Sequence, residues 1–478
     1  MLLRQIFEPH LAQYAYLIGC QRTGDALIID PLRDIAQYDA LAAANGLTIR
    51  AVAETHIHAD FVSGSREFAQ RPGIRLYLSG KGGADWSYRW PGDRANTFFT
   101  GDGEEFFIGN IKVRAVWTPG HTPEHMSYLI TDLGGGADEA MALATGDFLF
   151  VGDVGRPDLL ESAAGVKGIM EPSARALRKS LVEKLSGWGD YLQILPGHGA
   201  GSACGKALGA VPTTTLGYER RQNAALRLAL KDDDAFVKDI LSGQPEPPPY
   251  FATMKRVNRD GIAVTGGVPA VGQLSVEEFQ KMMVDGGAIP IDTRKEGKAF
   301  DAAHVEGAIF APLDSPFFFS SVGSYVGEDE PLVLLVENET ACAQAIRQLY
   351  RIGYDNVRGW IAWETVRAAG LFSQITTRVD FPDFDLEKAK ADGVILDVRT
   401  SAEFAQGHVD GAISIPYTRL RPRLGEVPEG SRIFVHCGSG KRAALAASFL
   451  QRRGFEVIHV DGVCAACEQI AVAQGVVH

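Results

Sequence analysis

Cysteine is scarce in this chain: six in 478 residues, at positions 20, 204, 342, 437, 464 and 467. So scattered a set builds no dense disulfide framework, and the expectation is a cytoplasmic protein with reduced thiols. Positive charge is short as well. There are 47 Lys and Arg against 59 Asp and Glu, a net charge of −12 and a pI near 5.5, which excludes nucleic acid as a general partner. Long apolar runs are missing, and the opening MLLRQIFEPH passes into a strand-like segment with no small-residue cleavage site, so neither a membrane span nor a signal peptide is expected. The rest is ordinary for a globular protein, with 46 % hydrophobic and 22 % charged residues. On the usual length prior it makes about three domains.

The most informative stretch is residues 55–64, THIHADFVSG. It follows an apolar run at 47–53 that predicts a buried strand, and it leads into residues 65–70, the predicted start of a helix. His56 and His58 are one residue apart, and Asp60 stands two further on. A turn points such side chains at one ion, whereas a helix carries them around its axis. Taken alone the motif is equally compatible with a polar surface loop. Three later strand ends weigh for a metal: TPGHTP at 118–123 presents His121, LATGDF at 143–148 ends on Asp147, and ILPGHG at 194–199 ends on His198. Four strand ends, each offering His or Asp, point to one rim and one ion.

This constellation resembles the metallo-β-lactamase superfamily, whose pattern H-x-H-x-D-H, separate His, bridging Asp and last His matches at His56, His58, Asp60, His121, Asp147 and His198. One position departs from it: Phe61 stands where the two-zinc hydrolases have histidine. A phenyl ring has no lone pair for a metal, so a single ion is expected. The persulfide dioxygenase branch of the superfamily implies one Fe(II) on two histidines and an aspartate, which carry over onto His56, His121 and Asp147. Such a face leaves open positions on octahedral iron for a sulfur substrate and O₂. His58, Asp60 and His198 then orient the ligands or the bound sulfur, or are relics of a lost second site. The resemblance implies an αββα sandwich, and the alternating strands and helices up to about residue 195 agree with it.

Arg156 follows Asp147 closely, and its guanidinium suits the carboxylate of a small thiol carrier, or equally a salt bridge with Asp153 or Asp158. Cys204, just past His198, is either a sulfur relay near the ion, as its similarity to the dioxygenase fusions suggests, or a packed thiol. His125 is expected at the surface. Helix is predicted through residues 216–241, and the stiff run GQPEPPPY at 243–250 marks a linker that ends the first domain.

The second half repeats itself. Residues 289–312 match 394–416, pairing Asp292 with Asp397, Arg294 with Arg399, His304 with His408 and Gly307 with Gly411. Each copy continues with an apolar strand and a helix. The shared D-x-R, H-V-x-G-A-I and strand-loop-helix order resemble rhodanese domains, the sulfurtransferase family. In the second copy the loop reads CGSGKR, which sets Cys437 between a strand and a helix N-terminus. Gly438, Ser439 and Gly440 can present backbone N–H groups there, and Lys441 and Arg442 add charge that favours a thiolate. Such a thiolate can hold sulfane sulfur as a persulfide; a phosphate or arsenate site is the alternative. The first copy has ENETA at 337–341, with two carboxylates and no cysteine. It is expected to be catalytically silent. Cys464 and Cys467 have a spacing shared by redox and zinc sites, with helix-start residues as the plain reading.

The expected fold class is thus α/β: a metallo-β-lactamase αββα sandwich followed by two tandem rhodanese-like domains, at residues 1–245, 246–376 (with the Pro-rich linker at its start) and 377–478. The expected function is a non-haem iron persulfide dioxygenase that takes thiol persulfides (of glutathione, coenzyme A or similar) and O₂ to sulfite and thiol. A rhodanese at Cys437 would make or use thiosulfate. The alternatives are a zinc thioester hydrolase like glyoxalase II with an accessory rhodanese, and a non-catalytic persulfide carrier or sensor. One Fe(II) per chain, no nucleic acid, no membrane and a homo-oligomer complete the expectations.

Overall fold

The structure, a computed structural model, describes residues 1–162, 168–316, 318–464 and 467, and divides into two compact units, residues 1–247 with 251–268 and residues 248–250 with 269–478. In the first unit, strands Leu2–Glu8, Gln13–Cys20, Asp25–Ile29, Thr48–Ala53, Arg75–Ser79 and Thr97–Thr100 form one six-stranded sheet in that order. Strands Glu105–Ile108, Ile111–Trp117, Met126–Asp132, Ala142–Gly146, Gln193–Pro196 and Thr214–Thr215 form a second. Alternate residues of each strand face the space between the sheets, where Ile18, Leu27 and Ile29 share one core with Ile111, Val113, Tyr128 and Ile130. On the far face of the second sheet, Ala174, Leu177, Leu181 and Leu185 form the apolar stripe of helix Met170–Leu185 and pack with Leu143 and Ile194. Helix Ala36–Ala44 lies against strand Thr48–Ala53 of the first sheet. The expected αββα sandwich is the result.

Two local expectations change. The helix expected over 216–241 is three helices, Leu216–Gln222, Ala224–Lys231 and Asp233–Ile240. Asn223 and Asp232 adopt extended backbone, and each caps the next helix by accepting the N–H of Leu226 or Ala235. The Pro-rich run does not end the contacts of the first unit, because helix Tyr250–Asp260 folds back onto it. The Asn258 side chain accepts from the Ser63 N–H and donates to the carbonyls of His58 and Phe61.

The second unit holds two parallel sheets of one topology. Ile309–Phe310, Ile289–Asp292, Leu332–Val336 and Val357–Ala362 lie in the same order as Ile413–Ser414, Val394–Asp397, Arg432–His436 and Glu456–Asp461, with Thr377–Asp380 added at the edge of the latter. The sequence repeat is therefore a repeat of structure. Strand Leu332–Val336 is buried throughout, as a parallel strand covered on both faces requires. Among the described residues no helix is long and apolar enough to cross a membrane.

Candidate metal centre and sulfur site

His56, His121 and Asp147 come from three separate turns, and one ligating atom of each lies within 4.8 Å of the others. Their proton inventory decides which atoms face the centre. The Thr55 hydroxyl donates to Asp30 Oδ2 at 2.8 Å, so at 2.9 Å it accepts from His56 Nδ1. His121 Nδ1 donates to the Arg156 carbonyl at 2.8 Å. Both rings therefore keep an Nε2 lone pair, 4.0 and 3.5 Å from Asp147 Oδ2, a buried oxygen without a hydrogen-bond partner. Burial and the neighbouring imidazoles hold His56 well below the usual imidazole range, which keeps that lone pair free. Two imidazole nitrogens and an orphaned carboxylate oxygen in a buried pocket fit one divalent ion.

The other histidines are committed elsewhere. His198 sits between two carboxylates, with Nδ1 2.8 Å from Asp147 Oδ1 and Nε2 2.8 Å from Asp60 Oδ2. Burial opposes its charge, but its neighbours together, Asp147 first and Asp60 among them, outweigh burial and push it well above the usual imidazole range, so both nitrogens carry protons. His58 Nε2 is 3.2 Å from Asp30 and 3.1 Å from Glu54. Against the cost of burial, those carboxylates raise it to about 10. Phe61, fully buried, lies against the His58 ring with centroids 4.3 Å apart. His125 corrects an expectation: it is buried, not at the surface. Its Nε2 accepts from the Asp147 N–H at 3.1 Å, its Nδ1 faces the Thr118 hydroxyl at 2.8 Å, and burial drives it down to about 3. Asp30, through Thr55, and His125, through the Asp147 N–H, brace the ligands, while Glu54 pairs with His58; Asp30 and Glu54 lie outside the motifs read from the sequence.

Arg156 is 1 % exposed, not at a mouth. Asp158 takes its Nε and Nη2 at 2.8 and 2.6 Å, and the carbonyls of Ala203 and Pro245 take Nη1, so the salt-bridge alternative describes its place. Cys204, 2 % exposed, groups with Asp60 and His198. Burial pushes its thiol up to about 12 against the pull of His198, which leaves it a weak nucleophile. A cavity of about 970 Å³ opens beside the His121 turn, bordered by Trp86, Trp117, Gly120 and Lys255.

In the second unit, buried Cys437 follows strand Arg432–His436 and precedes helix Lys441–Arg452. Gly440 enters that helix at φ 79°, where a side chain would be strained and would run into Asp461. Arg442 makes two 2.7 Å bonds to Glu403. The repeated motif residues are structural in both copies. Arg294 grips Asp292 as Arg399 grips Asp397, each at 2.7 Å, and His304 and His408 donate from Nδ1 to the carbonyls of Phe300 and Phe404. In the first copy Asn338 caps helix Glu339–Arg351, and Cys342 is a buried helix residue whose thiol burial pushes up to about 12. Cys464 and Cys467 are joined as a disulfide close to His436. A cavity of about 530 Å³ adjoins the Cys437 loop, bordered by Lys295 and Lys298 of the first copy and Ser439, Gly440, Lys441 and His459 of the second.

A sandwich that carries one His-His-Asp centre at its turns, joined to a rhodanese-like module, defines the class. Residues 9–198 match the metallo-beta-lactamase superfamily and residues 384–466 the rhodanese-like domain. The chain is 38 % identical to a solved metallo-beta-lactamase from Staphylococcus aureus, with a TM-score of 0.65, over 76 % of this chain and 98 % of that one. It therefore belongs to the metallo-beta-lactamase superfamily and carries a rhodanese-like domain. It is 33 % identical over 168 residues to bovine (Bos taurus) persulfide dioxygenase ETHE1, mitochondrial, a match spanning 34 % of this chain and 59 % of that protein. It is 36 % identical over 168 residues to the hydroxyacylglutathione hydrolase of Rhodospirillum rubrum, spanning 34 % of this chain and 57 % of that protein.

Proposed function

We propose that the first unit is an iron persulfide dioxygenase and that the second transfers sulfur through Cys437, within three domains at 1–245, 246–376 and 377–478. The overall reaction is RSSH + O₂ + H₂O → RSH + SO₃²⁻ + 2H⁺. The observation that carries it is the count of free lone pairs: two histidine nitrogens and one carboxylate oxygen face the centre, while His198 and His58 are held by carboxylates and Phe61 fills the place of a further ligand. When bound by His56, His121 and Asp147, Fe(II) would supply redox chemistry toward O₂ and open positions for the terminal sulfur. His198, braced by Asp60, fixes Asp147 through its other oxygen, and Thr55 and the Arg156 carbonyl fix the two imidazole tautomers. The thiol carrier lies in the cavity beside His121, where Trp86, Trp117 and Lys255 offer apolar area and a cation.

Cys437 would accept sulfane sulfur as a persulfide and pass it to sulfite, giving thiosulfate and the free thiolate, or run in reverse. Similarity to a hydroxyacylglutathione hydrolase favours one competing reading, a zinc thioester hydrolase on the same fold. Metal analysis of anaerobically purified protein, combined with O₂ uptake on glutathione persulfide, separates them. Iron with O₂ uptake supports the dioxygenase. Zinc with thioester cleavage replaces it, and neither activity would leave a persulfide carrier or sensor.

A further inference from the structure

The copy whose loop lacks a cysteine reaches the Cys437 loop through a buried chain of contacts. Asp301, in helix Gly297–Ala302 of the first copy, places Oδ2 2.8 Å from Nδ1 of His459 on strand Glu456–Asp461. His459 Nε2 lies 3.0 Å from the carbonyl oxygen of Gly440, the last residue of the Cys437 loop. Asp301 is 4 % exposed and His459 2 %.

The hydrogen-bond roles follow from chemistry. A carbonyl oxygen only accepts, so Nε2 must donate. Asp301 faces the other ring nitrogen, Nδ1, and so fixes the ring that holds the Gly440 carbonyl. The Gly440 carbonyl also accepts the Ala444 N–H at 3.0 Å in the first turn of helix Lys441–Arg452, so His459 is its second partner, while the preceding Ser439 bridges to Val463. A tilt of the Gly440 peptide would re-aim the amide N–H groups of the loop and the first turn of helix Lys441–Arg452, the groups a Cys437 persulfide needs.

We propose that the first copy positions the sulfur-carrying loop of the second, Asp301 acting through His459 on the Gly440 carbonyl. It is silent in bond-making but part of the working site. The inference rests on Cys437 being the sulfur carrier; Asp301 and His459 are positioning residues that touch no substrate.

The test is steady-state transfer from thiosulfate to cyanide by the full-length chain, with rates expressed per Cys437 titrated by iodoacetate. Asp301→Ala should lower kcat about tenfold, the scale on which partners that orient a working group act, with KM for thiosulfate within about twofold. Asp301→Glu, which can re-form the contact with His459 Nδ1, should recover most of the loss. Should Asp301→Ala fail to fold, Asp301→Asn carries the test, because it removes the ionisable carboxyl while keeping the shape, and it too should lower kcat per titrated site. A merely structural role would lower the melting temperature and the titratable Cys437 while leaving kcat per titrated site at the wild-type value; that result overturns the inference. If the wild-type chain itself transfers no sulfur, it is the reading of Cys437 that falls.

Discussion

At the scale of single residues, the metal centre depends on atoms that never touch the ion. His198 carries two protons because both its neighbours are carboxylates, and it orients Asp147 from behind. His198→Ala should leave Asp147 free to turn and lower iron affinity about tenfold, the usual effect of removing such a brace, read by retention of iron against a chelator. Glu403 gives a prediction with a sign. Burial raises its carboxyl, but the hydrogen bonds and charge of Arg442, with the hydrogen bonds of Thr400, outweigh that and hold it at about 2, below its ordinary 4.5. A depressed acid contributes stability that is present above its unfolded value and disappears as pH falls through the folded one. The melting-temperature gap between wild type and Glu403→Gln should thus be constant near neutral pH, shrink below about pH 4.5 and close toward pH 2.

At the scale of elements, helix Tyr250–Asp260 is a strut for the metal turn. Asn258 satisfies one N–H and two carbonyls in the largely buried residues 58–63. Asn258→Ala would leave those groups unpaired at a cost of about 2 kcal/mol, visible as a lower denaturation midpoint with an unchanged slope, together with weaker iron retention. The Asn223 and Asp232 caps make the same point on a smaller scale, since a single polar side chain on extended backbone divides an apolar helical pattern that looked continuous.

At the scale of the molecule, the proposed function gives each unit its own chemistry. Cys437→Ser should abolish sulfur transfer from thiosulfate while O₂ uptake on glutathione persulfide stays within about twofold of wild type, since no ligand is lost. Iron removal by a chelator should do the reverse. Loss of both activities in either experiment would mean that the sites are not separable.

Much of this was readable in the sequence, because ligands at strand ends sit beside Gly and Pro turns that announce themselves, and because a 105-residue offset carries Asp292 and Arg294 onto Asp397 and Arg399. The residues themselves determined the αββα layers, the repeated parallel sheets and the placing of His56, His121, Asp147 and Cys437, since periodicity and turn chemistry act locally along the chain. Only the tertiary structure decided that His125 is buried against Asp147, that Arg156 spends its guanidinium on Asp158, that Asn258 returns to the metal turn, and that Asp301 holds His459. Those outcomes depend on which donor meets which acceptor across 22, 2, 200 and 158 positions of chain. Even the two-residue case turns on whether Asp153 or Asp158 lies in reach, and such pairings are fixed by packing and desolvation, which have no periodicity along the sequence.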